Sequence, residues 1–81
     1  MSSITANQNQ SRNVTPPMRL TKRQKQCLQH VAIGTPHRAI AEQLGITERT
    51  VREHLSRARK KLDVHSTAEA VYVAVKLHIL E

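Results

Sequence analysis

The segment from Ile40 to Leu62, IAEQLGITERTVREHLSRARKKL, constrains the fold more than any other part of the chain. Apolar residues recur at helical spacing on both sides of Leu44-Gly45-Ile46. Gly45 can supply the left-handed residue that ends the first helix, and Ile46 can anchor the turn in a core. The segment therefore predicts two helices joined by a tight turn, a helix-turn-helix.

The second of these helices is predicted to have a buried side and a charged side. Thr47 is a suitable N-cap, and the buried stripe is Val51, Leu55, Ala58 and Leu62. The opposite side carries Arg49, Arg52, Glu53, Ser56, Arg59 and Lys60. A basic helix after such a turn is a device that offers side chains to the DNA major groove.

Flanking segments complete the first of these two helices and predict two further helices, which makes the fold all-α with four helices in residues 18–81. Thr21 and Gln24 form a capping pair for helix one, which Gly34 ends, with Cys27, Leu28, Val31 and Ala32 facing the core. Thr35 is the expected N-cap of helix two, with Pro36 in its first turn and an apolar face of Ile40, Ala41 and Leu44. Ser66 and Glu69 form a second capping box, which begins a nearly all-apolar helix four running to Leu80.

The polar residues 1–17 are predicted to be a disordered tail, with a minor-groove arm as the alternative. Positive charge concentrates in residues 18–65, which hold eleven Lys or Arg and four acidic residues. A folded surface for a polyanion is therefore favoured over a basic tail. Tyr72 is the one aromatic residue, which argues against single-strand binding by base stacking.

Other function classes have little support in the sequence. A single cysteine, Cys27, suits a reducing cytosol, where it would be a small buried hydrophobe. No apolar run is long enough for a membrane span and no signal peptide is present, so a cytoplasmic, nucleoid-associated protein without membrane contact is expected. No metal-ligand spacing, nucleophile motif or phosphate loop occurs, so we expect no metal, no cofactor and no enzyme activity.

Residues 20–80 resemble the LuxR/FixJ-type (GerE-like) helix-turn-helix family. The resemblance rests on Leu20-Thr21-x-Arg23, Ile40-Ala41-x-x-Leu44-x-Ile46, Thr47-Glu48-x-Thr50-Val51-Arg52-x-His54, and Lys61-Leu62, Val64, Ser66 and Ala70-Val71-x-x-Ala74. The family usually has acidic residues at Gln24 and Gln26, Arg at Thr67 and Gly at His78. The promoter-reading module of sigma factors is a competing resemblance through residues 50–62, but the pattern beyond Val64 favours the LuxR type.

The resemblance implies that helix three enters the major groove. The residues predicted to read bases are Arg49, Arg52, Glu53 and Ser56, with Arg52 donating to guanine and Glu53 accepting from cytosine. Alternatively, Glu53 pairs with Arg49 or Arg57 and only moderates the charge. His54 is interpreted as a packing residue of the motif rather than a switch or ligand.

A second set of residues is predicted to contact phosphates, with solvated charge as the alternative. It comprises Thr47, Thr50, Arg57, Arg59, Lys60, Lys61, His37 and Arg38. Helix four is expected to form a homodimer through Ala68, Tyr72, Val75 and Ile79, unless this face packs on helix one.

The sequence thus predicts a transcription regulator that binds duplex DNA as a dimer on an inverted repeat. Larger members of the family carry a further domain ahead of this module. A start at Met1 with a polar lead-in favours a stand-alone regulator over a fragment. An activator would also contact RNA polymerase, although no residue marks that contact. The alternative is a protein-interaction co-regulator or antagonist that pairs with a larger regulator through helix four.

Overall fold

A computed structural model describes residues 19–80, and this part of the chain contains four helices and no strand. They are α1 (Lys22–Ala32), α2 (His37–Leu44), α3 (Glu48–Leu62) and α4 (Thr67–Lys76). The predicted all-α, four-helix architecture is confirmed. The predicted tail, residues 1–17, lies outside the described residues. Each described helix is too short or too polar to cross a membrane.

α3 lies at the centre of the fold and packs against the other three helices. Its predicted stripe is buried: Val51, Leu55, Ala58 and Leu62 are each at most 8% exposed. The core around this stripe is completed by Leu20, Cys27, Leu28, Ile40, Ala41, Ala70, Ala74 and Leu80. Burial of this one stripe fixes the rotation of α3 and therefore decides which of its side chains face solvent.

Side-chain caps begin three of the helices as predicted. Thr21 Oγ1 accepts from Gln24 N at 3.1 Å, and Gln24 Oε1 accepts from Thr21 N at 2.9 Å. Thr47 Oγ1 accepts from Thr50 N at 3.0 Å. Ser66 caps α4 in the same way, because its Oγ accepts from Glu69 N at 3.0 Å. The predicted return bond of the capping box, from Ser66 N to the Glu69 side chain, is wrong. Glu69 Oε1 accepts from His65 N at 3.1 Å instead of from Ser66 N.

The prediction that Thr35 caps α2 is wrong. Pro36 occupies the N-cap position and α2 begins at His37, with no side-chain cap. Thr35 belongs to the preceding turn, because its N–H donates to the carbonyl of His30 at 2.9 Å and so closes the end of α1. The ring of Pro36 holds φ at −66° and the residue is extended, so the helix starts one residue later than expected.

The prediction that Ala32 faces the core is wrong, because Ala32 is exposed. The buried side of α1 carries Gln24, Cys27 and Leu28, and Val31 packs against the same core. Each residue turns the helix by about 100°, so the position after Val31 lies at the edge of this arc. Ala32 therefore reaches the surface in the last turn.

Residues with positive φ follow the four helices. Gly45 has φ of 69° after α2, and Ile46 N donates to Ala41 O at 3.0 Å, which forms the predicted turn into α3. After the last two helices, non-glycine residues take the left-handed conformation: Asp63 has φ of 58° and His78 has φ of 60°. These left-handed residues let the chain reverse while the last carbonyls of each helix stay hydrogen-bonded.

The predicted extent of helix four is wrong, because α4 ends at Lys76 rather than Leu80. His78 turns the chain back, and Ile79 N donates to Ala74 O at 2.8 Å. Leu80 then enters the core with 3% of its surface exposed. The last residues thus cover the end of the core instead of extending the helix.

Candidate nucleic-acid interface

The solvent-facing side of α3 brings the predicted base-reading residues together. Arg49, Arg52 and Glu53 are exposed and Ser56 is half-buried. Their spacing of three and four residues puts them on one face over two turns of the N-terminal half of the helix. This face lies opposite the buried stripe, so the packing that builds the core also presents these four side chains.

Two ion pairs link the charged residues of this face. Arg49 Nε lies 3.7 Å from Glu53 Oε2, and Arg52 Nη1 lies 3.9 Å from Glu48 Oε1. Both pairs join residues four apart and are exposed to solvent, where such pairs contribute little to stability. The structure thus contains the pairing of Glu53 with Arg49, one of the two partners that the sequence offers as the alternative to base reading. A hydrogen bond to a base can replace an exposed ion pair, so the contact with Arg49 is compatible with base reading by Glu53.

The N-terminus of α3 is organised by two threonines. Thr47 Oγ1 accepts from Thr50 N and donates to Thr50 Oγ1 at 2.9 Å. The Thr47 hydroxyl therefore stabilises the first turn whether or not DNA is bound. Thr47 is exposed and Thr50 half-buried, beside the helix end whose backbone donors attract anions.

The four basic residues near the end of α3 differ in their surroundings. Arg57 and Lys60 are exposed. Arg59 Nη1 donates to Thr67 Oγ1 at 3.0 Å, which ties α3 to the start of α4. Lys61 Nζ donates to the carbonyl of Arg19 and to Gln24 Oε1, both at 3.1 Å. Two of the four are therefore held by contacts within the chain, and two extend freely into solvent.

The start of α2 provides two further predicted phosphate contacts. His37 is half-buried and Arg38 is exposed. Arg38 Nε lies 3.9 Å from Glu42 Oε2, with both side chains mostly solvent-exposed. The pair does not fix Arg38 firmly, and its guanidinium can turn toward an anion near α2.

His54 lies half-buried on the side of α3 that faces α1. Burial lowers its pKa from the usual 6.5, the guanidiniums of Arg57 and Arg23 lower it further, and Glu53 has a smaller opposing effect. Arg23 belongs to α1, so a cation of that helix adds to the positive charge around His54. Arg23 and Gln24 are not predicted from the sequence to contact DNA, because their position beside α3 depends on packing between distant segments.

The described residues offer no arrangement for metal or thiol chemistry. Within residues 19–80, no group of three His, Cys, Asp or Glu is placed to hold a metal ion. Cys27 is fully buried, and desolvation raises the pKa of its thiol against a smaller lowering by Arg23. A buried neutral thiol is a packing residue rather than a nucleophile.

The predicted dimer face of α4 is only partly formed. Ala68, Tyr72 and Val75 are exposed, Tyr72 to 63% and Val75 to 46%. Lys76 Nζ lies 5.8 Å from the centre of the Tyr72 ring. Ile79 lies beyond the end of the helix and packs against the core. Its expected place on the same helical face is wrong, because the left-handed turn at His78 interrupts the helical spacing.

Comparison of the sequence with known proteins identifies the family to which this helix-turn-helix belongs. Residues 18–74 match the family model described as bacterial regulatory proteins, luxR family. The chain belongs to the luxR family. Proteins of this family are DNA-binding regulators rather than enzymes.

Individual luxR-type relatives match at 35–41% identity. The chain is 41% identical over 61 residues to the transcriptional activator protein ExaE of Pseudomonas putida, covering 75% of this chain and 28% of that protein. It is 35% identical over 68 residues to the transcriptional regulatory protein LiaR of Bacillus subtilis, covering 84% and 32%. It is 41% identical over 51 residues to the nitrate/nitrite response regulator protein NarL of Escherichia coli K12, covering 63% and 24%. The chain thus spans a quarter to a third of the length of these three relatives.

Proposed function

We propose that the chain is a sequence-specific transcription regulator that binds duplex DNA with α3 in the major groove. The observation that carries the proposal is the exposed face of α3, where Arg49, Arg52, Glu53 and Ser56 lie opposite the buried stripe. Membership in the luxR family, a family of DNA-binding regulators, also supports DNA binding by α3. The regulator would act in the cytoplasm, associated with the nucleoid.

Within this proposal, the side chains near the N-terminus of α3 read bases. Arg52 donates two hydrogen bonds to a guanine, for which the planar guanidinium is suited. Glu53 accepts from the amino group of a cytosine. A carboxylate on a surface that approaches phosphates is unfavourable unless it is paired, so a cytosine would have to replace the contact with Arg49.

The surrounding residues would hold the DNA backbone. Arg57 and Lys60 extend into solvent from α3, and Thr47 and Thr50 lie at its N-terminus. His37 and Arg38 would contact phosphate beside α2. Arg59 and Lys61 have donors beyond those used within the chain, because a guanidinium has five N–H groups and an ammonium has three. Such contacts position the helix without reading sequence.

We further propose that two copies pair through Ala68, Tyr72 and Val75 of α4. Exposed Tyr72 and Val75 on one helical face support this, since pairing would remove their apolar surface from water. A two-fold axis through α4 would present two α3 helices to half-sites about one helical turn apart on an inverted repeat. RNA polymerase would be a further partner of an activator, with no residue assigned to the contact.

Selection of bound duplexes from a random library at about 150 mM salt tests this proposal, since non-specific attraction is weakened at that ionic strength. The expected result is enrichment of an inverted repeat. Enrichment of a single half-site would retain the DNA reader and overturn the dimer. Absence of enrichment, with binding only at low salt, would contradict sequence-specific binding.

A second candidate is a co-regulator that captures a larger relative through α4, with DNA binding secondary. The exposed Tyr72 and Val75 support it too, since a partner's helix would cover the same apolar surface as a second copy. The double variant Arg52→Ala, Glu53→Ala distinguishes the two candidates and leaves the net charge unchanged. A DNA regulator loses specific binding and biological effect together in this variant. A co-regulator keeps its effect there and loses it in Tyr72→Asp.

A further inference from the structure

The contact between Lys61 and α1 places a cation at the junction of two helices. Lys61 Nζ donates to Gln24 Oε1, 37 residues earlier in the chain, and to the carbonyl oxygen of Arg19. Both acceptors are uncharged. The two bonds fix the position of the ammonium without cancelling its charge, and they leave its third proton available for another acceptor.

Two more cations lie along the same junction. Arg57 precedes Lys61 by four residues, which puts the two side chains on one side of α3. Arg23 lies in the first turn of α1, directly before Gln24, the residue that contacts Lys61, and it donates to Gln26 Oε1 at 3.3 Å. Its charge also lowers the pKa of His54, which lies three residues before Arg57 on α3. Residues of α1 and α3 thus contribute three cations to the junction of these two helices.

The carboxylates of the described residues leave this group unpaired. The three ion pairs within residues 19–80 involve Arg38, Arg49 and Arg52. In that part of the chain, no carboxylate oxygen lies within 4.0 Å of a charged nitrogen of Arg23, Arg57 or Lys61. Cations that share one helix junction without a counter-charge repel one another, and an anion would relieve this repulsion.

We propose that Arg23, Arg57 and Lys61 form a junction cluster that binds a phosphate of the DNA backbone, and that the uncharged Gln24 keeps this cluster free of an internal counter-ion. The proposal rests on the proposed function and adds α1 to the interface. Arg23 becomes a phosphate-binding residue, and Gln24 becomes a positioning residue that acts through Lys61.

The cap of α1 alone does not explain a glutamine at residue 24. Gln24 is 4% exposed, and its Oε1 accepts hydrogen bonds from both Thr21 N and Lys61 Nζ. A glutamate would accept the same hydrogen bond from Thr21 N, because Glu and Gln serve equally at this position of a capping box. Glutamate and glutamine differ in their effect on Lys61. A carboxylate at residue 24, 3.1 Å from Lys61 Nζ, would form an ion pair with the ammonium and compete with DNA phosphate for it. Gln24→Glu therefore changes the charge of the cluster while it preserves the cap.

The test compares Gln24→Glu with Gln29→Glu, which adds the same charge to the exposed side of α1. Binding of each protein to a selected duplex and to an unrelated duplex is measured by fluorescence anisotropy over a range of salt. Gln24→Glu is expected to weaken binding to both duplexes about three- to tenfold. It should also reduce the slope of log K against log salt by about one, the value for one lost phosphate contact. Gln29→Glu should keep the wild-type slope.

Arg23→Gln gives a second test that does not depend on the buried position of residue 24. Its expected effect is the same sequence-independent weakening and the same loss of slope, with an unchanged thermal transition. Equal slopes for wild type, Gln24→Glu and Arg23→Gln would overturn the cluster while leaving DNA binding intact. A wild-type chain that binds neither duplex would overturn the proposed function itself, so the two failures are distinguishable.

Discussion

The guanidinium of Arg49 lies 3.7 Å from the carboxylate of Glu53, so two residues proposed to read bases are paired with each other. The pair is exposed, and its atoms lie at the outer limit of an ion-pair contact. DNA binding would require Glu53 to exchange this partner for a base. If α3 reads bases as proposed, the balance between the two contacts would make Glu53 a determinant of specificity as well as of charge.

Replacement of Glu53 by Gln tests this balance. The variant should bind unrelated duplexes more tightly, because a negative charge has been removed near the phosphates. It should lose about 1–3 kcal/mol of discrimination at one base pair. Competition between the selected duplex and its single-base variants measures both effects. Glu42→Gln, which removes the partner of Arg38 on α2, is the matched control and should retain the base preference. Unchanged discrimination in Glu53→Gln would show that Glu53 only moderates charge.

The left-handed His78 predicts a stabilising substitution. A residue with a Cβ atom is strained at φ of 60°, whereas glycine adopts this conformation freely. His78→Gly should therefore raise the free energy of unfolding by about 1 kcal/mol, after allowance for the greater flexibility of glycine in the unfolded chain. Urea unfolding provides the measurement. Lys25→Gly, at an exposed position inside α1, should instead lower stability by about 1 kcal/mol. A less stable His78→Gly would mean that the His78 side chain makes a contact that outweighs the strain.

Substitutions at Tyr72 and Ile79 separate pairing from folding. Tyr72 is 63% exposed, so Tyr72→Asp should leave the thermal transition and helix content close to wild type. It should shift the protein to monomer in analytical ultracentrifugation and weaken binding to an inverted repeat more than to a half-site. Ile79→Asp should lower the melting temperature because Ile79 packs against the core. A wild-type chain that is already monomeric at high concentration, on and off DNA, would contradict pairing through α4.

The lowered pKa of His54 predicts that folding stability falls in mild acid. Burial and the cations of Arg57 and Arg23 disfavour the protonated imidazole in the folded chain, and Glu53 only partly offsets them. The unfolded chain therefore binds more protons as pH drops through about 6.5, so stability is complete above that pH and decreases below it. The loss stops growing once pH is below the folded-state pKa.

Urea unfolding of wild type and His54→Gln between pH 5 and pH 7.5 checks this prediction. The variant should lose less stability than wild type between neutral and acidic pH, since its residue 54 does not titrate. Identical pH dependence in the two proteins would assign the acid sensitivity to other groups.

Much of this fold follows from local sequence, because the relevant signals are periodic or lie in single turns. The spacing of Val51, Leu55 and Ala58 fixes the buried side of α3 and, with it, the charged face. Thr21 and Thr47 mark helix starts through bonds to residues three positions later. These interactions are complete within one or two helical turns, so they can be read without knowledge of the packing.

Other features depend on how segments meet. The end of α4 could not be inferred from its apolar run. The helix ends early because Leu80 packs in the core, and Leu80 reaches the core because His78 adopts a left-handed conformation. Thr35 has a suitable side chain for a cap, but the closing turn of α1 uses its backbone. The contact of Lys61 with Gln24 joins residues 37 apart, and a basic run in the sequence does not reveal that one of its members is held by another helix.

The base preference of Arg52→Ala tests most directly whether α3 reads DNA in the major groove. Selection from a random duplex library with wild type and variant at about 150 mM salt gives the preference at every position of the site. We predict that the variant loses a guanine preference at one position of each half-site, costing about 1–3 kcal/mol there, and keeps the rest of the site. A variant that binds every sequence more weakly, with its preferences intact, would contradict the assignment of α3 as the reading helix.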